Sequence, residues 1–271
     1  MAFWCMLLAV RRSGVGRMFA EERKLLILDL IKKKKKVTVH ELSEYLSSSS
    51  GTIRNDLQAL EDDGLLKRTH GGAISPDRIS FEHMPEEKEV LHLAEKKAIA
   101  KLALTLIDDG DTISLDTGTT TLELAKLLSG KKDLIVVTND LNIALILEKQ
   151  ENTTVIMIGG TVRRNFHCTF GAQSMSALAG IRVDKTFIAA NGVSVDSGIT
   201  TPNIETAEVK RELIRISGET ILLCDSSKIG RTSFMRIAEL REMNILVTDR
   251  HISAEQQKML HESGIEVMLA D

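Results

Sequence analysis

Apolar positions in the first part of the chain recur at helical spacing, and in the rest they gather into short runs between amphipathic stretches. Leu25, Leu26, Leu28, Leu30 and Ile31 predict a helix from about Ala20 to Lys33. Thr38-Val39-His40-Glu41 is a capping box, in which the Thr hydroxyl and the Glu carboxylate satisfy opposing backbone amides. It opens a second helix through Leu46, with Val39, Leu42 and Leu46 facing inward. Ser47–Ser50 makes a tight polar turn, and Ser49 is placed to cap a third helix running to about Glu61. Ile53, Leu57 and Leu60 share one face of that helix, which leaves Ser50, Thr52, Arg54, Asn55 and Gln58 to the other faces. Gly64 stands where glycine ends a helix. Leu65 and Leu66 begin a strand, Gly71-Gly72 permits a sharp bend, and Lys67, Arg68 and His70 give the hairpin a basic edge. A helix that displays polar and cationic side chains fits the major groove of DNA, and a basic hairpin beside it fits the backbone. A short helix, a turn and a second helix are also compatible with plain packing; the hairpin favours the first reading.

Residues 76 to about 93 are polar, with Pro85 and a Glu86-Glu87-Lys88-Glu89 cluster, and read as a linker entering a helix. Lys96–Ile107 is amphipathic, with Ile99, Leu102, Ala103, Leu106 and Ile107 inward, and Asp108-Asp109-Gly110-Asp111 ends it. Seven apolar runs follow: Thr112–Leu115, Leu134–Val137, Thr154–Ile158, Thr186–Ala190, Thr220–Cys224, Asn244–Val247 and Glu266–Leu269. Helical stretches occupy most of the gaps, at Thr120–Leu128, Leu141–Lys149, Ser174–Gly180, Glu205–Ser217 and Ser253–Ser263. The alternation predicts an α/β domain with a mostly parallel sheet and helices on both faces. Ligands in such sheets sit at the carboxyl ends of strands.

Asp116-Thr117-Gly118-Thr119-Thr120-Thr121 is the best site candidate, because it follows a strand and opens a helix. Free amides at a helix start favour an anion, the hydroxyls add donors, and Gly118 allows close approach. A plain Thr-capped turn is the alternative. Thr138-Asn139-Asp140, Gly159-Gly160, Asn191-Gly192 and Asp225-Ser226-Ser227-Lys228 are further polar strand ends that could share the same rim, with Lys228 supplying charge to a phosphate. Arg163-Arg164 reads as solvated surface, with a phosphate contact as the alternative. His167 and Cys168 are neighbours, but no His, Cys and carboxylate spacing suits a metal, no Ser-His-Asp order stands out, and no cofactor is expected.

Charge sharpens the division. Residues 1–75 hold 13 Lys+Arg against 9 Asp+Glu, and the remainder hold 22 against 29, so a basic head precedes an acidic body. That asymmetry suits a head that alone meets a polyanion. Lys32–Lys36 ends the first helix as five lysines, either a solvated end favoured by the helix dipole or a phosphate contact. Aromatics are only 3% of the 271 residues, so the cores must be aliphatic. Cys5, Cys168 and Cys224 form an odd set without metal spacing, which points to a reducing cytoplasm. Trp4–Val10 is too short to span a bilayer, and Arg11-Arg12 follow it rather than precede it. Residues 1–17 are therefore expected to lie outside the fold, with Met18 as the true initiator.

The motifs carry a resemblance. Residues 20–75 are similar to the winged helix-turn-helix of the DeoR family of bacterial regulators. The family pattern runs from a Val-Ser turn through Thr-Ile-Arg-Arg-Asp-Leu to a His-Gly-Gly-Ala wing. Here it appears as Thr52-Ile53-Arg54, then Asn55 in place of a second Arg, then Asp56-Leu57, with His70-Gly71-Gly72-Ala73 matching in full. Ser48 replaces an apolar turn residue, and Gly51 costs about 1 kcal/mol relative to Ala in the first turn of the helix. Residues 76–271 resemble the family's effector domain, which is similar to ribose-5-phosphate isomerase and takes phosphorylated sugars. The matching residues are Asp116-Thr117-Gly118-Thr119-Thr120, Thr138-Asn139, Gly159-Gly160, Asp184 with Phe187, Asn191 and Gly192, and Asp225 with Ser227 and Lys228.

The resemblance implies a repressor of a sugar or polyol catabolic operon, controlled by a phosphorylated metabolite. DNA contacts are expected among Thr38, Ser49, Ser50, Thr52, Arg54, Asn55, Gln58, Lys67, Arg68 and His70. Effector contacts are expected among Asp116, Thr117, Gly118, Thr119, Thr120, Thr138, Asn139, Gly159, Gly160, Asp184, Asn191, Gly192 and Lys228. The expected organisation is an extension over 1–17, the head over 18–75, a linker over 76–93 and the effector domain over 94–271, in a dimer or tetramer without membrane contact. The alternatives are enzymes: a sugar-phosphate isomerase with Asp116 or Asp184 as base and Lys228 as electrophile, or a sugar kinase, because Asp-x-Gly-Thr-Thr also resembles a phosphate loop of actin-like ATPases.

Overall fold

The computed structural model describes residues 19–62, 65–74, 79 and 82–271. The expected extension over 1–17, the Met18 start, Cys5, the Gly64 helix end and Pro76 lie outside the described residues. Contacts divide the chain into two compact units, the second beginning at Ile79.

The first unit is α1 (Ala20–Lys34), β1 (Lys36–Thr38), α2 (Val39–Tyr45), α3 (Ser50–Asp62), β2 (Lys67–Thr69) and β3 (Gly72–Ile74). The capping box forms as expected: Glu41 N donates to Thr38 Oγ1 at 3.1 Å, and Thr38 N donates to Glu41 Oε2 at 2.8 Å. Those bonds hold the Glu41 carboxyl below its ordinary pKa. Ser49 Oγ accepts from Thr52 N at 3.1 Å, so the α3 cap is also where expected. Two details differ. The wing strand starts at Lys67 because Leu66 turns down into the core, and Lys36–Thr38 adds a third strand, giving an antiparallel sheet in the order β1-β3-β2. Ile27, Ile31, Val37, Leu42, Leu46, Ile53, Leu57, Leu60, Leu66 and Ala73 form one small aliphatic core.

The second unit contains α4 (Pro85–Val90), α5 (Leu93–Leu104), β4 (Thr112–Leu115), α6 (Thr119–Leu127), β5 (Leu134–Thr138), α7 (Leu141–Leu147) and β6 (Thr153–Met157). Then come β7 (Thr161–Arg163), β8 (Cys168–Phe170), α8 (Ala172–Leu178), β9 (Val183–Ala189), β10 (Gly192–Ser194) and β11 (Gly198–Thr201). The unit ends with α9 (Ile204–Arg215), β12 (Ser217–Leu223), β13 (Met235–Ala238), β14 (Ile245–Asp249), α10 (Ala254–Glu262) and β15 (Glu266–Ala270). The seven predicted runs all become strands of one sheet, in the order β15-β14-β12-β9-β4-β5-β6, and every pairing in it is parallel. Successive residues feed opposite faces, as a strand requires. Phe187, Ile221 and Val247 join α5, α6 and α7 in one core; Ile188, Leu222 and Leu246 join α8, α9 and α10 in the other. A sheet covered on both faces reads as continuous apolar runs, which is why the sequence pattern was clear.

The strand order reverses between β4 and β9. From β4 the chain winds outward to β5 and β6, then returns to the other side of β4 and winds outward again through β12, β14 and β15. Open α/β sheets bind ligands at such a switch point, outside the strands' carboxyl ends. The β7–β8 hairpin and the antiparallel sheet β10-β11-β13, neither of which was anticipated, are both inserted after carboxyl ends of sheet strands. The stretch expected as a linker carries structure of its own. Pro85 opens α4, and Glu82 pairs with Arg163 on β7 at 2.7 Å, so from Glu82 onward the chain belongs to the second unit.

Candidate nucleic-acid interface and sensor site

On α3, Arg54, Asn55 and Gln58 are exposed while Ile53, Leu57 and Leu60 are buried, as the periodicity requires. The side chains of Arg54 and Asn55 have no hydrogen-bond partner among the described residues. Gln58 is bridged to the wing by the Arg68 guanidinium and also donates to Asp62 at 2.8 Å. Arg68 N donates to Glu61 Oε1 at 2.7 Å, so the wing is fastened to the end of α3. His70 is exposed and Lys67 is half-buried. Three of the expected DNA contacts also have partners within the motif. Thr38 spends its hydroxyl on Glu41 and Ser49 spends its own on the α3 cap, while Ser50 Oγ lies 3.3 Å from Ser43 Oγ. These three shape the motif. The sequence reading did not single out the pair that holds α3 in place: Arg23 on α1 embraces both oxygens of Asp56, through Nε to Oδ2 and through Nη2 to Oδ1 at 3.0 Å. Among the described lysines of the run, Lys33 pairs with Asp29 and Lys34 with Glu41, the behaviour of a solvated helix end.

At the switch point, Asp116 follows β4 directly and is completely buried. Its Oδ2 accepts from Ala189 N, at the end of β9, at 3.0 Å, and is ion-paired with Lys210 of α9. Lys210 also donates to Ala189 O at 3.0 Å. Oδ1 of Asp116 has no hydrogen-bond partner among the described residues. Burial raises the Asp116 carboxyl's pKa, and Lys210 opposes that shift. Gly118 is needed for close approach, because a Cβ there would lie 2.6 Å from Ala189 Cβ. Thr121 Oγ1 donates to Asp116 O and Gly118 O at 2.7 and 2.8 Å, which fixes the turn, and α6 begins at Thr119 with Thr120 buried behind it. The first amides of a helix lack intrahelical acceptors and suit an anion. Thr117 Oγ1 donates to Asp140 Oδ2 at 2.7 Å, which joins this loop to the N-cap of α7. The Asp140 carboxyl is raised by burial, against the bonds it accepts from Ile143 N, Thr117 and Asn142 N.

Lys210 reaches this loop directly, donating to Thr117 O at 3.4 Å, and three further lysines act on one another through their charges. Besides Lys210, Lys228 stands half-exposed in the turn after β12. Lys88 of α4 and Lys96 of α5 lie close enough to Lys228 for its charge to act on both, and Lys88 also feels Lys210. Burial lowers the Lys88 ammonium, with Glu82 opposing it. Burial pushes Lys96 down to about 8, opposed by Asp225 and reinforced by Lys228 and Lys88. Cations crowded together at the carboxyl ends of a sheet can neutralise a multiply charged anion.

The family descriptions that match are a DeoR-like helix-turn-helix domain over residues 23–79 and a DeoR C terminal sensor domain over residues 91–250. The chain belongs to the DeoR family. It is a DNA-binding transcriptional regulator. Among its relatives is the HTH-type transcriptional regulator GlpR of Haloferax volcanii, 34% identical over 93% of this chain and 98% of that one. GolR of Listeria innocua is 36% identical over 94% and 100%, and the transcriptional repressor GlcR of Bacillus subtilis is 34% identical over 94% and 98%. Among solved structures, a D-ribose-5-phosphate isomerase in complex with phospho-erythronic acid is similar at a TM-score of 0.38 and 19% identity, covering 55% of each chain. No helix among the described residues is long and apolar enough to cross a membrane.

Within this DeoR-family sensor unit, the expected effector residues separate into three groups. Asp116, Thr117, Gly118, Thr119, Thr120 and Lys228 converge on the switch point, with Asn191 just after β9. Thr138 and Asn139 are at the rim but turned inward. Thr138 Oγ1 donates to Leu115 O at 2.7 Å, and Asn139 Nδ2 to Thr169 O at 3.0 Å. Gly159 and Gly160 follow β6, two strands from β4, and Gly160 takes a φ of +143° to pass beneath Phe170 and Ser174. Gly192 lies in β10, pressed against Arg231. Asp184 is a correction: it sits at the amino end of β9, on the opposite edge of the sheet, and accepts from Thr112 N at 2.8 Å. Arg163 is a second correction. Expected as solvated surface, its side chain is only 17% exposed, pairs with Glu82 and stacks on Phe166 at 3.7 Å. Lys210 and Lys96 went unrecognised, although each is a lysine on the apolar stripe of its helix, Lys96 in line with Ile99, Ala100 and Ala103, and Lys210 with Ala207 and Leu213.

Proposed function

We propose that this regulator represses a sugar or polyol catabolic operon and is controlled by a phosphorylated sugar or polyol bound at the β4/β9 switch point. The observation that carries the reading is the Asp116–Thr120 loop at the carboxyl end of β4, where Lys210 pairs with Asp116 and donates to Thr117 O at 3.4 Å, with Lys228 in the turn after β12. The α6 amides and Lys228 take the phosphate, Lys210 and Asp116 brace the loop from beneath, and Thr117 with Asn191 stands where sugar hydroxyls would lie. In the first unit, Arg54 and Asn55 reach base edges or phosphates in the major groove, and Lys67, Arg68 and His70 follow the backbone. The protein works in the cytoplasm as an even-numbered oligomer that matches paired half-sites.

The chain carries out no catalysis in this reading. An isomerase needs an accessible base, and Asp116 is completely buried and neutralised by Lys210, while Asp184 is on the wrong edge. A thermal-shift panel of fructose, tagatose, galactitol and glycerol phosphates, followed by gel shifts on the chain's own promoter DNA, tests the proposal. Stabilisation by a phosphorylated compound that also changes DNA affinity is expected, and Lys228→Ala should abolish the stabilisation. No response to any of the panel, or measurable isomerase turnover, would overturn it.

A further inference from the structure

The stretch between the DNA-binding unit and the sensor sheet is held down by one carboxylate. Glu82 Oε1 accepts from Lys88 Nζ at 2.9 Å and Oε2 from Arg163 Nη2 at 2.7 Å. All three side chains are largely buried, with exposures of 12%, 24% and 17%. Arg163 lies flat on Phe166, and Lys88 is 5.9 Å from the same ring. Lys96 Nζ then ties down the end of α4 by donating to Leu91 O at 2.6 Å and to Lys88 O. His167 of the β7–β8 connection faces Glu86 at 3.7 Å. The clasp therefore joins residues 82–92 to the β7–β8 hairpin and to α5.

Lys88 belongs to two neighbourhoods. It is a member of the clasp, and its helix α4 packs against α6, which opens from the switch-point loop, where the charges of Lys210 and Lys228 reach it. Within the clasp two cations share a single carboxylate, so one positive charge is left over. Burial works against the Glu82 charge, yet Lys88 and Arg163 hold its carboxyl below the ordinary range. A phosphate monoester brings up to two charges and three acceptor oxygens to the same kind of partners and forms stronger bonds with arginine and lysine than a carboxylate does.

We propose that Glu82 is an internal competitor for the effector's phosphate: the incoming anion takes Lys88 from Glu82, the clasp opens, and residues 82–92, which follow the DNA-binding unit in sequence, are released. The exchange is non-covalent, and the displaced carboxylate goes ionised into water. This rests on the reading of the switch point as a phosphate sensor. It adds to that reading the route by which occupancy reaches the chain that leads to the head, and a residue that sets the threshold concentration.

The test uses the full chain with inorganic phosphate and the phosphorylated panel as probes. Calorimetric titration should show Glu82→Gln binding phosphate about three- to tenfold more tightly than the parent protein, because one competing charge has been removed. Asp184→Asn, the same charge change on the far edge, should leave the affinity unaltered. Unchanged or weaker binding by Glu82→Gln, with the parent protein binding normally, overturns the competition and leaves the sensor site standing. No binding by either protein overturns both. Hydrogen exchange of the parent protein needs no variant: amides of 82–92 should exchange faster at saturating phosphate, and slower exchange there would refute the release.

Discussion

Arg23–Asp56 in the first unit and Lys210–Asp116 in the second are both buried acid–base pairs, and the two differ in how completely they are satisfied. Arg23 and Asp56 in the DNA-binding unit meet fork to fork, with both carboxylate oxygens engaged. Lys210 and Asp116 in the sensor unit meet through one oxygen, and the other has no hydrogen-bond partner among the described residues. The first arrangement is closed and can only brace helices. The second is open at the one place in the sheet where topology leaves a crevice. Buried polar groups are normally satisfied, so an incomplete pair at a switch point reads as a binding feature where a complete one reads as a brace.

The largest effect should come from breaking the closed pair. Asp56→Ala strands the Arg23 cation and should cost about 3–5 kcal/mol. Chemical denaturation would show the loss in the first unit alone, with DNA binding gone and sugar-phosphate stabilisation intact. Breaking the open pair should cost comparable stability in the second unit but also abolish the ligand response. In Lys210→Met the carboxyl of Asp116 loses the opposing cation, so burial raises it further against the Ala189 amide. The folded state then holds that proton more tightly than the unfolded chain, so stability falls as pH rises above the ordinary carboxylate range. Lys210→Arg should restore it, and a flat pH profile for the Met variant would contradict the account.

Smaller effects sharpen the contrast between the units. Arg54→Ala should weaken operator binding and, if the contact is to phosphate, reduce the salt slope by about one unit, with ligand-induced thermal shifts unchanged. Lys96, lowered to about 8, is neutral in the folded protein above that pH and charged in the unfolded chain up to about 10.5. Stability should therefore rise with pH across that window, while phosphate affinity falls as pH passes about 8. Calorimetry at stepped pH would show this, and Lys96→Arg should flatten it. The smallest change belongs to Asp184→Asn, for which effector affinity should stay within error.

Much of the first unit could be read directly, because its signals are local. The Thr38–Glu41 box, the Ser49 cap and the face shared by Ile53, Leu57 and Leu60 depend on spacings of three or four residues. Strands buried on both faces are equally legible, and all seven runs became strands of the sheet. The hairpin Thr161–Phe170 and the β10-β11-β13 sheet escaped notice because three- and four-residue strands carry no usable period. In the site, the Asp116–Thr120 loop was visible because a strand, a glycine and threonines adjoin in sequence. Its partners were not, since Lys210 is 94 positions from Asp116 and Arg163 is 81 from Glu82.

The order of elements, the inward faces and the phosphate-type loop were set by residues within one or two turns of each other, where propensity, capping and periodicity act. Which strand lies beside which, and hence that β9 returns to β4 while Asp184 is carried to the far edge, was decided only when the sheet assembled. The same is true of the charges. A lysine on an apolar stripe is an oddity in the sequence, and it becomes an anion site or a clasp only when long-range packing brings Asp116, Glu82 or Lys228 within Coulomb range in a place sheltered from water.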